Sequence, residues 1–153
     1  MTDQAVRDDA LDTGPLASMP GFQIRRTHLA VMRRFTEALG PEGVAPGQYS
    51  LLKLISLNPG RTQSALAATL GFDRSTMVPL LDQLEKRGLV ARSRRADNRR
   101  NNEVVLTADG EAYLARIEPA MIQLEKGFAA GLSRNDVATL LRLLATVREA
   151  SGG

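Results

Sequence analysis

The feature that most constrains the fold is a pair of short predicted helices separated by a tight turn. Thr62 is a favourable N-cap for a helix over residues 63–70, and Asp73 is one for a second helix over residues 74–87. The turn contains Gly71, and a glycine lets the backbone end one helix and begin the next within a few residues. Two helices joined in this way are predicted to pack at a steep angle, as in a helix-turn-helix.

A predicted β-hairpin follows the second helix directly. Residues 89–91 and 103–106 are apolar enough for two short strands, and the segment between them is polar and typical of a turn. Five arginines lie between Arg92 and Arg100, and residues 86–103 carry seven basic and two acidic side chains, although the net charge of the chain is only +3. Basic charge concentrated in this way favours an acidic partner such as nucleic acid, but charge alone is equally compatible with a solvated face.

The order of helix, turn, helix and basic hairpin predicts a way of binding DNA. The second helix of such a motif places its first residues against base edges in the major groove, and here these are Arg74, Ser75 and Thr76. Arginine can bind guanine through two hydrogen bonds, and hydroxyl groups can bind phosphates or bases. Arginines of the hairpin are long enough to enter a narrow minor groove. Without the motif, the same three residues would be only the first turn of a helix.

Longer predicted helices flank this motif. Apolar side chains recur at spacings of three and four over residues 22–39, 114–128 and 137–147, which indicates amphipathic helices. These stripes are longer than one small domain needs for its own core, so we expect them to pack against a second copy of the chain. A shorter helix is predicted over residues 48–57, and residues 1–20, with several Asp, Gly and Pro, are expected to form a flexible arm.

Residues 46–110 resemble the MarR family of transcriptional regulators. The family pattern reads TQ-x-x-LA-x-x-L, then D-x-S-T, then LE-x-x-GLV, then a D-x-R wing and LT-x-x-G. The matching residues in this sequence are Thr62-Gln63, Leu66-Ala67, Leu70, Asp73, Ser75-Thr76, Leu84-Glu85, Gly88-Leu89-Val90, Asp97, Arg99, Leu106-Thr107 and Gly110.

The resemblance implies a fold that is mainly α with a small β-hairpin wing, in which a winged helix-turn-helix is flanked by N- and C-terminal dimerisation helices. It also implies an obligate homodimer that binds an inverted repeat in double-stranded DNA. The implied boundaries are a flexible arm over residues 1–20, a single domain over 21–153, a winged helix-turn-helix over 46–106, and dimerisation helices over 22–39 and 108–150.

The resemblance also assigns individual residues to the DNA interface. Arg99 would be the wing arginine of the minor groove, and Asp97 would help to fix the wing tip. Pro79 departs from the family pattern, where a polar or basic residue is commoner; a proline there leaves the Ser75 carbonyl without its helical donor, so base contacts at position 79 are not inferred. The candidate DNA-binding residues are Thr62, Ser64, Arg74, Ser75, Thr76, Arg94, Arg95, Asp97, Arg99 and Arg100.

In this family, small ligands bind between the dimerisation helices and the DNA-binding lobe, and many are aromatic acids or related anions. An arginine that faces such a pocket can pair with a carboxylate or phosphate through two hydrogen bonds. The candidate ligand-binding residues that the resemblance implies are Arg25, Arg26, His28 and Tyr49. The alternative is that the arginines are ordinary exposed charges and that His28 is a packed core or interface residue.

The composition argues against several other kinds of site. The chain has no cysteine and one histidine, so neither disulfides nor thiolate or histidine-rich metal sites are expected. No acid–base pair adjoins the histidine and no glycine-rich phosphate loop is present, so we expect no catalytic residues, no cofactor and no metal, and hence not an enzyme. No apolar run approaches the ~18 residues that a membrane span requires. The acidic N-terminus lacks the apolar core of a signal peptide, so a cytoplasmic protein without a membrane partner is expected.

These observations predict a sequence-specific DNA-binding regulator, a repressor released by a small anionic effector such as an aromatic acid or its coenzyme A thioester. Two alternatives remain. One is a constitutive winged-helix DNA-binding protein without an effector, which the sequence leaves open. The other is a winged-helix module that binds proteins, which the arginine-rich hairpin disfavours.

Overall fold

The computed structural model describes residues 11–40, 43–94 and 102–152, with only the backbone described at positions 93, 94 and 102. The chain divides into two units, Met1–Arg34 and Phe35–Gly153. In chain order the elements are a 3-10 helix (Gly14–Ser18), α1 (Pro20–Leu39), α2 (Pro46–Leu57), β1 (Arg61–Thr62), α3 (Gln63–Leu70), α4 (Arg74–Lys86), β2 (Val90–Arg94), β3 (Asn102–Leu106), α5 (Ala108–Phe128) and α6 (Arg134–Ala150).

The predicted elements are present, with small shifts at their ends. α1 and α2 each begin two residues before the predicted start, at Pro20 and Pro46. Proline suits the first helical position because its φ is already near the helical value and its missing N–H is not needed there. α4 ends at Lys86, one residue before the predicted end, and continues through Pro79. The expected fold class, mainly α with a small β-hairpin wing, is confirmed.

The sheet has one strand more than the sequence predicts. β1 (Arg61–Thr62) pairs antiparallel with β3, which also pairs with β2, so the strand order is β1-β3-β2. In this register Thr62 lies opposite Glu103. A strand of two residues is too short to show the alternation from which strands are predicted. Thr62 therefore has two structural roles, as a strand residue and as the N-cap of α3.

The core of the second unit forms where α2, α3, α4, the sheet and α5 meet. Each of these elements contributes apolar side chains, so the helix-turn-helix and the root of the wing share one hydrophobic cluster. Burial of a large apolar side chain contributes roughly 1.5–3 kcal/mol, which makes this cluster the main source of stability. The largest fully buried side chains are Leu51, Leu52, Ile55, Met77, Leu81, Leu84 and Val104.

The connection from α4 to β2 is fixed by backbone hydrogen bonds. Gly88 has a φ of 71°, which favours glycine. The Gly88 N–H donates to the Glu85 carbonyl at 2.9 Å, and the Leu89 N–H donates to the Leu84 carbonyl at 3.0 Å. This is a Schellman end, so the direction in which the wing leaves α4 is set by the backbone itself.

The first turn of α5 lies directly against this connection. Thr107 caps α5 by accepting a hydrogen bond from the Gly110 N–H at 3.0 Å, and the Thr107 hydroxyl donates to the Gly88 carbonyl. Gly110 is buried, and a Cβ atom at this position would lie 1.9 Å from the carbonyl oxygen of Leu89. The start of the wing therefore packs on α5 at a distance that only glycine permits.

Two helices present apolar side chains to solvent in the single chain. No residue of α6 is buried, and Leu141 and Leu144 are 62% and 43% exposed. In the first unit, Ile24 and Leu29 of α1 are 40% and 49% exposed. Exposed apolar stripes of this length mark surfaces that bind a partner. Within the predicted flexible arm, Gly14–Ser18 form the short 3-10 helix, whereas residues 1–10 lie outside the described residues.

Candidate nucleic-acid interface and effector residues

The two helices of the helix-turn-helix begin with side-chain caps. The Thr62 hydroxyl oxygen accepts a hydrogen bond from the Ala65 N–H at 3.2 Å, and Asp73 Oδ1 accepts one from the Thr76 N–H at 2.7 Å. Neither α3 nor α4 has an acidic residue in its first turn, whereas the first turns of α5 and α6 do. The amino end of α3 therefore keeps the positive end of its helix dipole available to an anion, whereas at α4 the carboxylate of Asp73 already lies at that end.

The three predicted base-reading residues form the first turn of α4. Arg74, Ser75 and Thr76 are all exposed. The Ser75 hydroxyl donates to Asp73 Oδ1 at 2.8 Å, which orients its oxygen as an acceptor. This hydrogen bond, and those from Thr76, lower the pKa of Asp73 below its ordinary value. The cap thus remains ionised under ordinary conditions and fixes the turn that carries Arg74.

Asp73→Asn is expected to lower stability only where the wild-type carboxylate is ionised. Because the folded pKa of Asp73 is lowered, its stabilisation is fully present above the unfolded value of about 3.9 and is lost as the pH falls through the folded pKa. Denaturant unfolding should show that the free energies of unfolding of the wild type and the variant differ at pH 7 and converge at about pH 2. Asp109→Asn, which removes a charge from the first turn of α5, is the control. If the difference in free energy of unfolding between the wild type and Asp73→Asn stays constant with pH, the charge of Asp73 does not contribute to the cap.

A surface recess brings several of the candidate DNA-binding residues together. Its volume is about 660 Å³, and it lies between α3, α4 and β2. Thr62, Ser64 and Arg74 all line it, so residues that are 12 positions apart in sequence, from 62 to 74, share one surface. Ser75 and Thr76 follow Arg74 in the same turn. Arg94 lies in β2 with its side chain outside the described residues, and Arg95, Asp97, Arg99 and Arg100 lie outside them altogether.

Arg92 has a structural role that the sequence does not reveal. Its guanidinium forms an ion pair with Asp82, and its Nε lies 3.6 Å from a carboxylate oxygen of Glu85. Both acidic residues are on α4, three positions apart, so they present one face to β2. The charge of Arg92 is therefore balanced by acidic residues of α4, and this ion pair joins the wing to that helix. The spacing of Asp82 and Glu85 in the sequence could have indicated this role of Arg92. A count of basic residues alone does not reveal it.

The candidate ligand-binding residues fall in both units. Arg25, Arg26 and His28 are exposed residues of α1 in the first unit, and the guanidinium carbon of Arg26 lies 5.7 Å from the ring centroid of Phe22. For Arg25 and Arg26, exposure agrees with the alternative that they are ordinary surface charges. His28 is exposed in the single chain, so it is not a packed core residue there. Exposure is also what an effector site open to a partner would require.

Tyr49, in the second unit, has an environment of mixed charge. Its ring packs against Phe35 with centroids 6.1 Å apart. Burial raises its pKa, and the carboxylates of Glu118 and Glu125 raise it further, whereas Lys53 opposes them. Lys53 is itself paired with Glu118. Tyr49 therefore suits an aromatic ring or a neutral hydrogen-bonding group better than an anion.

In the part of the chain that the structure describes, no three His, Asp or Glu side chains are grouped closely enough to hold a metal ion. No described helix is both long and apolar enough to cross a membrane.

Comparison with known sequences identifies the family. The sequence model of the MarR family matches residues 44–101. A protein of Thauera aromatica named "Putative transcriptional regulatory protein for hcr operon" is 40% identical over 132 residues, which cover 86% of this chain and 80% of the relative. The chain belongs to the MarR family. The resemblance seen over residues 46–110 is thus confirmed, and the protein is a MarR-family transcriptional regulator.

Solved structures of MarR regulators share the fold over nearly the whole chain. The transcriptional repressor CouR bound to a 23-mer DNA duplex is 36% identical, with a TM-score of 0.83 over 92% of this chain and 99% of CouR. CouR bound to p-coumaroyl-CoA gives a TM-score of 0.81 at 36% identity, over 91% and 98% of the two chains. The PcaV regulator of Streptomyces coelicolor with its natural ligand gives 0.84 at 27% identity, over 93% and 98%. MarR proteins are dimeric DNA binders, and the similar structures are winged-helix regulators.

Proposed function

We propose that this MarR regulator is a homodimeric repressor that binds an inverted repeat in double-stranded DNA and is released by a small anionic effector. The observation that carries the DNA-binding part is the exposed first turn of α4, which Asp73 caps and which presents Arg74, Ser75 and Thr76. A DNA-bound structure of the similar repressor CouR supports the same assignment. As a DNA-binding regulator, the protein is expected to act in the cytoplasm.

The proposed contacts divide by the part of DNA they meet. Arg74, Ser75 and Thr76 bind base edges in the major groove. Thr62 and Ser64, at the amino end of α3, bind phosphates. Arg99 enters the minor groove with help from Asp97, and the remaining wing arginines, Arg94, Arg95 and Arg100, bind phosphates or the groove walls. Arg92 is excluded from this set because Asp82 and Glu85 hold it against α4.

The protein is expected to be a dimer with a mass near twice 16.6 kDa by sedimentation at micromolar concentration. The exposed leucines of α6 and the exposed apolar residues of α1 support this, because leaving them in water loses the free energy of burial. Leu141→Glu should raise the dimer dissociation constant at least tenfold, since it places a charge on an exposed apolar stripe, 62% exposed at this position, that is proposed to pack against the partner. Arg142→Gln, at the adjacent exposed position, should leave it within about twofold. A wild-type monomer would contradict the dimer.

The effector is proposed to be an aromatic acid or its coenzyme A thioester. The structure of CouR with p-coumaroyl-CoA and that of PcaV with its natural ligand support a small-molecule effector in general. In the first unit, Arg25, Arg26 and His28 are the proposed partners of its anionic group. In the second unit, Tyr49 is the proposed partner of its ring, because Glu118 and Glu125 disfavour a negative charge there.

The effector hypothesis is tested by a thermal-shift screen of aromatic acids and their coenzyme A thioesters, followed by DNA binding with each hit. A ligand that binds the folded dimer should raise Tm by mass action and should weaken DNA binding by about 1–3 kcal/mol of coupling. Arg25→Ala, Arg26→Ala and His28→Ala should retain DNA binding and respond less to the ligand. If every variant responds fully, these residues are not the ligand site. If no compound changes DNA binding at millimolar concentration, the constitutive DNA-binding alternative is correct.

A further inference from the structure

Gln48 of α2 is a polar residue inside the apolar core. Among the residues whose burial the structure describes, it is the only buried one that is polar or charged, with 5% exposure. An amide group inside a protein costs free energy unless its donor and acceptor are hydrogen-bonded. An apolar side chain of similar size would fill the same space without that requirement. The hydrogen bonds of Gln48 therefore indicate a role other than core packing.

Both ends of the Gln48 amide have hydrogen-bond partners. Its Oε1 accepts a hydrogen bond from the Ala45 N–H at 2.9 Å, and its Nε2 donates to Oε1 of Gln83 in α4 at 2.7 Å. The Ala45 N–H can only donate, so it fixes the carbonyl side of the Gln48 amide at the amino end of α2. The Nε2 side is thereby directed at Gln83, which must supply an acceptor.

The amino end of α2 also packs against the start and the middle of α4. A Cβ atom added at Gly47 would lie 3.2 Å from Cζ of Phe72 and 3.7 Å from Cδ1 of Leu80. Phe72 directly precedes Asp73, the N-cap of α4, and Leu80 lies in the middle of that helix. Gly47 and Gln48 thus place the start of α2 against α4, and Gln48 adds a hydrogen bond to this contact.

A hydrogen bond restrains α4 in a way that apolar packing does not. Leu51 and Leu52 of α2 share one core cluster with Met77 and Leu81 of α4. Apolar burial is non-directional, so it permits small rotations of one helix against another. A hydrogen bond weakens steeply outside a narrow range of length and angle. Rotation of a helix by about 20° moves its outer atoms by about 2 Å, since its radius with side chains is about 5–6 Å, and this is enough to break a hydrogen bond.

We propose that Gln48 is a positioning residue for DNA recognition, because its hydrogen bond to Gln83 fixes the rotation of α4. This inference rests on the proposed function, in which Arg74, Ser75 and Thr76 bind bases. Arg74 lies nine positions before Gln83 on the same helix, about 14 Å along its axis. A binding residue must be held to within about 0.5 Å of its productive position, so the rotation of α4 decides whether these base contacts form.

Loss of this restraint is expected to lower sequence specificity more than affinity for DNA in general. Phosphate contacts carry no sequence information, and the proposed ones come from α3 and the wing. Base contacts come from the first turn of α4 and depend directly on its rotation. A variant without the hydrogen bond should therefore keep its affinity for unrelated DNA and lose its preference for a selected duplex.

The first test changes the acceptor at position 83, because Gln83 is exposed and its replacement leaves the core filled. Gln83→Glu keeps an acceptor for Gln48, whereas Gln83→Lys offers only donors. The full-length protein is titrated with a duplex selected by the wild type and with an unrelated duplex, and the ratio of the two affinities is measured. Gln83→Glu should keep this ratio within twofold of the wild type, and Gln83→Lys should lower it at least tenfold. Charge acts in the opposite direction, since an added lysine strengthens binding to every duplex.

A double-mutant cycle separates positioning from a general loss of stability. On the selected duplex, Arg74→Ala should weaken binding less in the Gln48→Met background than in the wild type, because its base contact is already misplaced. Thermal melts of each variant give Tm, and binding is measured well below the lowest Tm so that every protein is folded. The control is Gln123→Lys, at an exposed position of α5, which should keep the ratio within twofold.

The outcomes distinguish this inference from the proposed function. A fall in the ratio for Gln83→Lys but not for Gln83→Glu supports the positioning role. If the wild type selects a duplex and Gln83→Lys keeps the same ratio, the inference is overturned and the proposed function stands. Equal falls for the two variants at position 83, a similar fall for Gln123→Lys, or additive effects of Gln48→Met and Arg74→Ala also overturn it. A wild type that binds no DNA refutes the proposed function, and this inference with it.

Discussion

Arg74→Glu is expected to reduce DNA binding at least 100-fold while leaving the protein as stable as the wild type. Loss of a bidentate base contact costs about 1–3 kcal/mol, and a carboxylate facing the groove adds repulsion from the phosphates. The same substitution suits the helix, because an acidic residue in the first turn interacts favourably with the helix dipole. Arg74 is exposed and forms none of the core. The variant therefore separates a role in DNA binding from a role in folding.

The measurement uses a duplex selected from random DNA with the wild-type protein, titrated at several salt concentrations. Arg134→Glu is the matched control, because Arg134 is also an exposed arginine at the first position of a capped helix. It should retain binding to within a few-fold. Arg99→Ala should flatten the slope of log affinity against log salt by roughly one unit. Arg74→Ala should do the same if Arg74 also contacts a phosphate. Equal losses for the variants at positions 74 and 134 would show a nonspecific effect of net charge.

Gly110→Ala is expected to be strongly destabilising, because the added Cβ would approach backbone atoms more closely than one added at Gly43 or Gly47. The Cβ would lie 1.9 Å from the Leu89 carbonyl oxygen and 2.9 Å from its carbonyl carbon, and both atoms belong to the backbone. A side chain could rotate away, but here the start of the wing or the first turn of α5 must move. We expect a loss of about 3 kcal/mol or more, at the upper end of the range for overpacked cores. The displacement should also disturb the hydrogen bonds of Thr107.

Thermal and denaturant unfolding at fixed protein concentration test this expectation. Gly21→Ala is the matched control, because Gly21 lies in α1 and a Cβ there has no neighbour within 4 Å. That variant should be as stable as the wild type or up to about 1 kcal/mol more stable, since alanine favours helix more than glycine does. An unchanged Tm for Gly110→Ala would mean that the contact between Leu89 and α5 is not as tight as described.

Much of the fold could be predicted from local rules because its helices begin and end with clear signals. Thr62 and Asp73 were predicted as N-caps, and each accepts the expected backbone hydrogen bond. Thr107 and Ser133 are of residue types that also favour this position, and they accept the same kind of bond. Gly88 directly follows the helix predicted over residues 74–87, and it has the positive φ that a glycine after a helix end often adopts. These signals are reliable because they concern residues within four positions of one another.

Features that depend on residues distant in sequence were not predictable in the same way. β1 exists because β3 lies beside it, and its two residues carry no pattern of their own. The pairing of Arg92 with Asp82 joins two elements, so an inventory of basic residues assigns its charge to the wrong partner. The arrangement of Arg87 and Arg116 around Tyr113 likewise depends on α4 meeting α5. The sequence indicated where basic residues are dense, but tertiary contacts decide which of them remain available.

Both strands of the wing are anchored at their roots, and this has a consequence for how regulators of this kind diversify. β2 is tied to α4 through Arg92, and β3 is tied to the start of α3 through β1. The contacts that hold the two roots lie outside the segment that joins the strands, so substitutions in that segment leave them in place. Duplicated genes can in this way acquire different DNA sequence preferences while inheriting one stable scaffold.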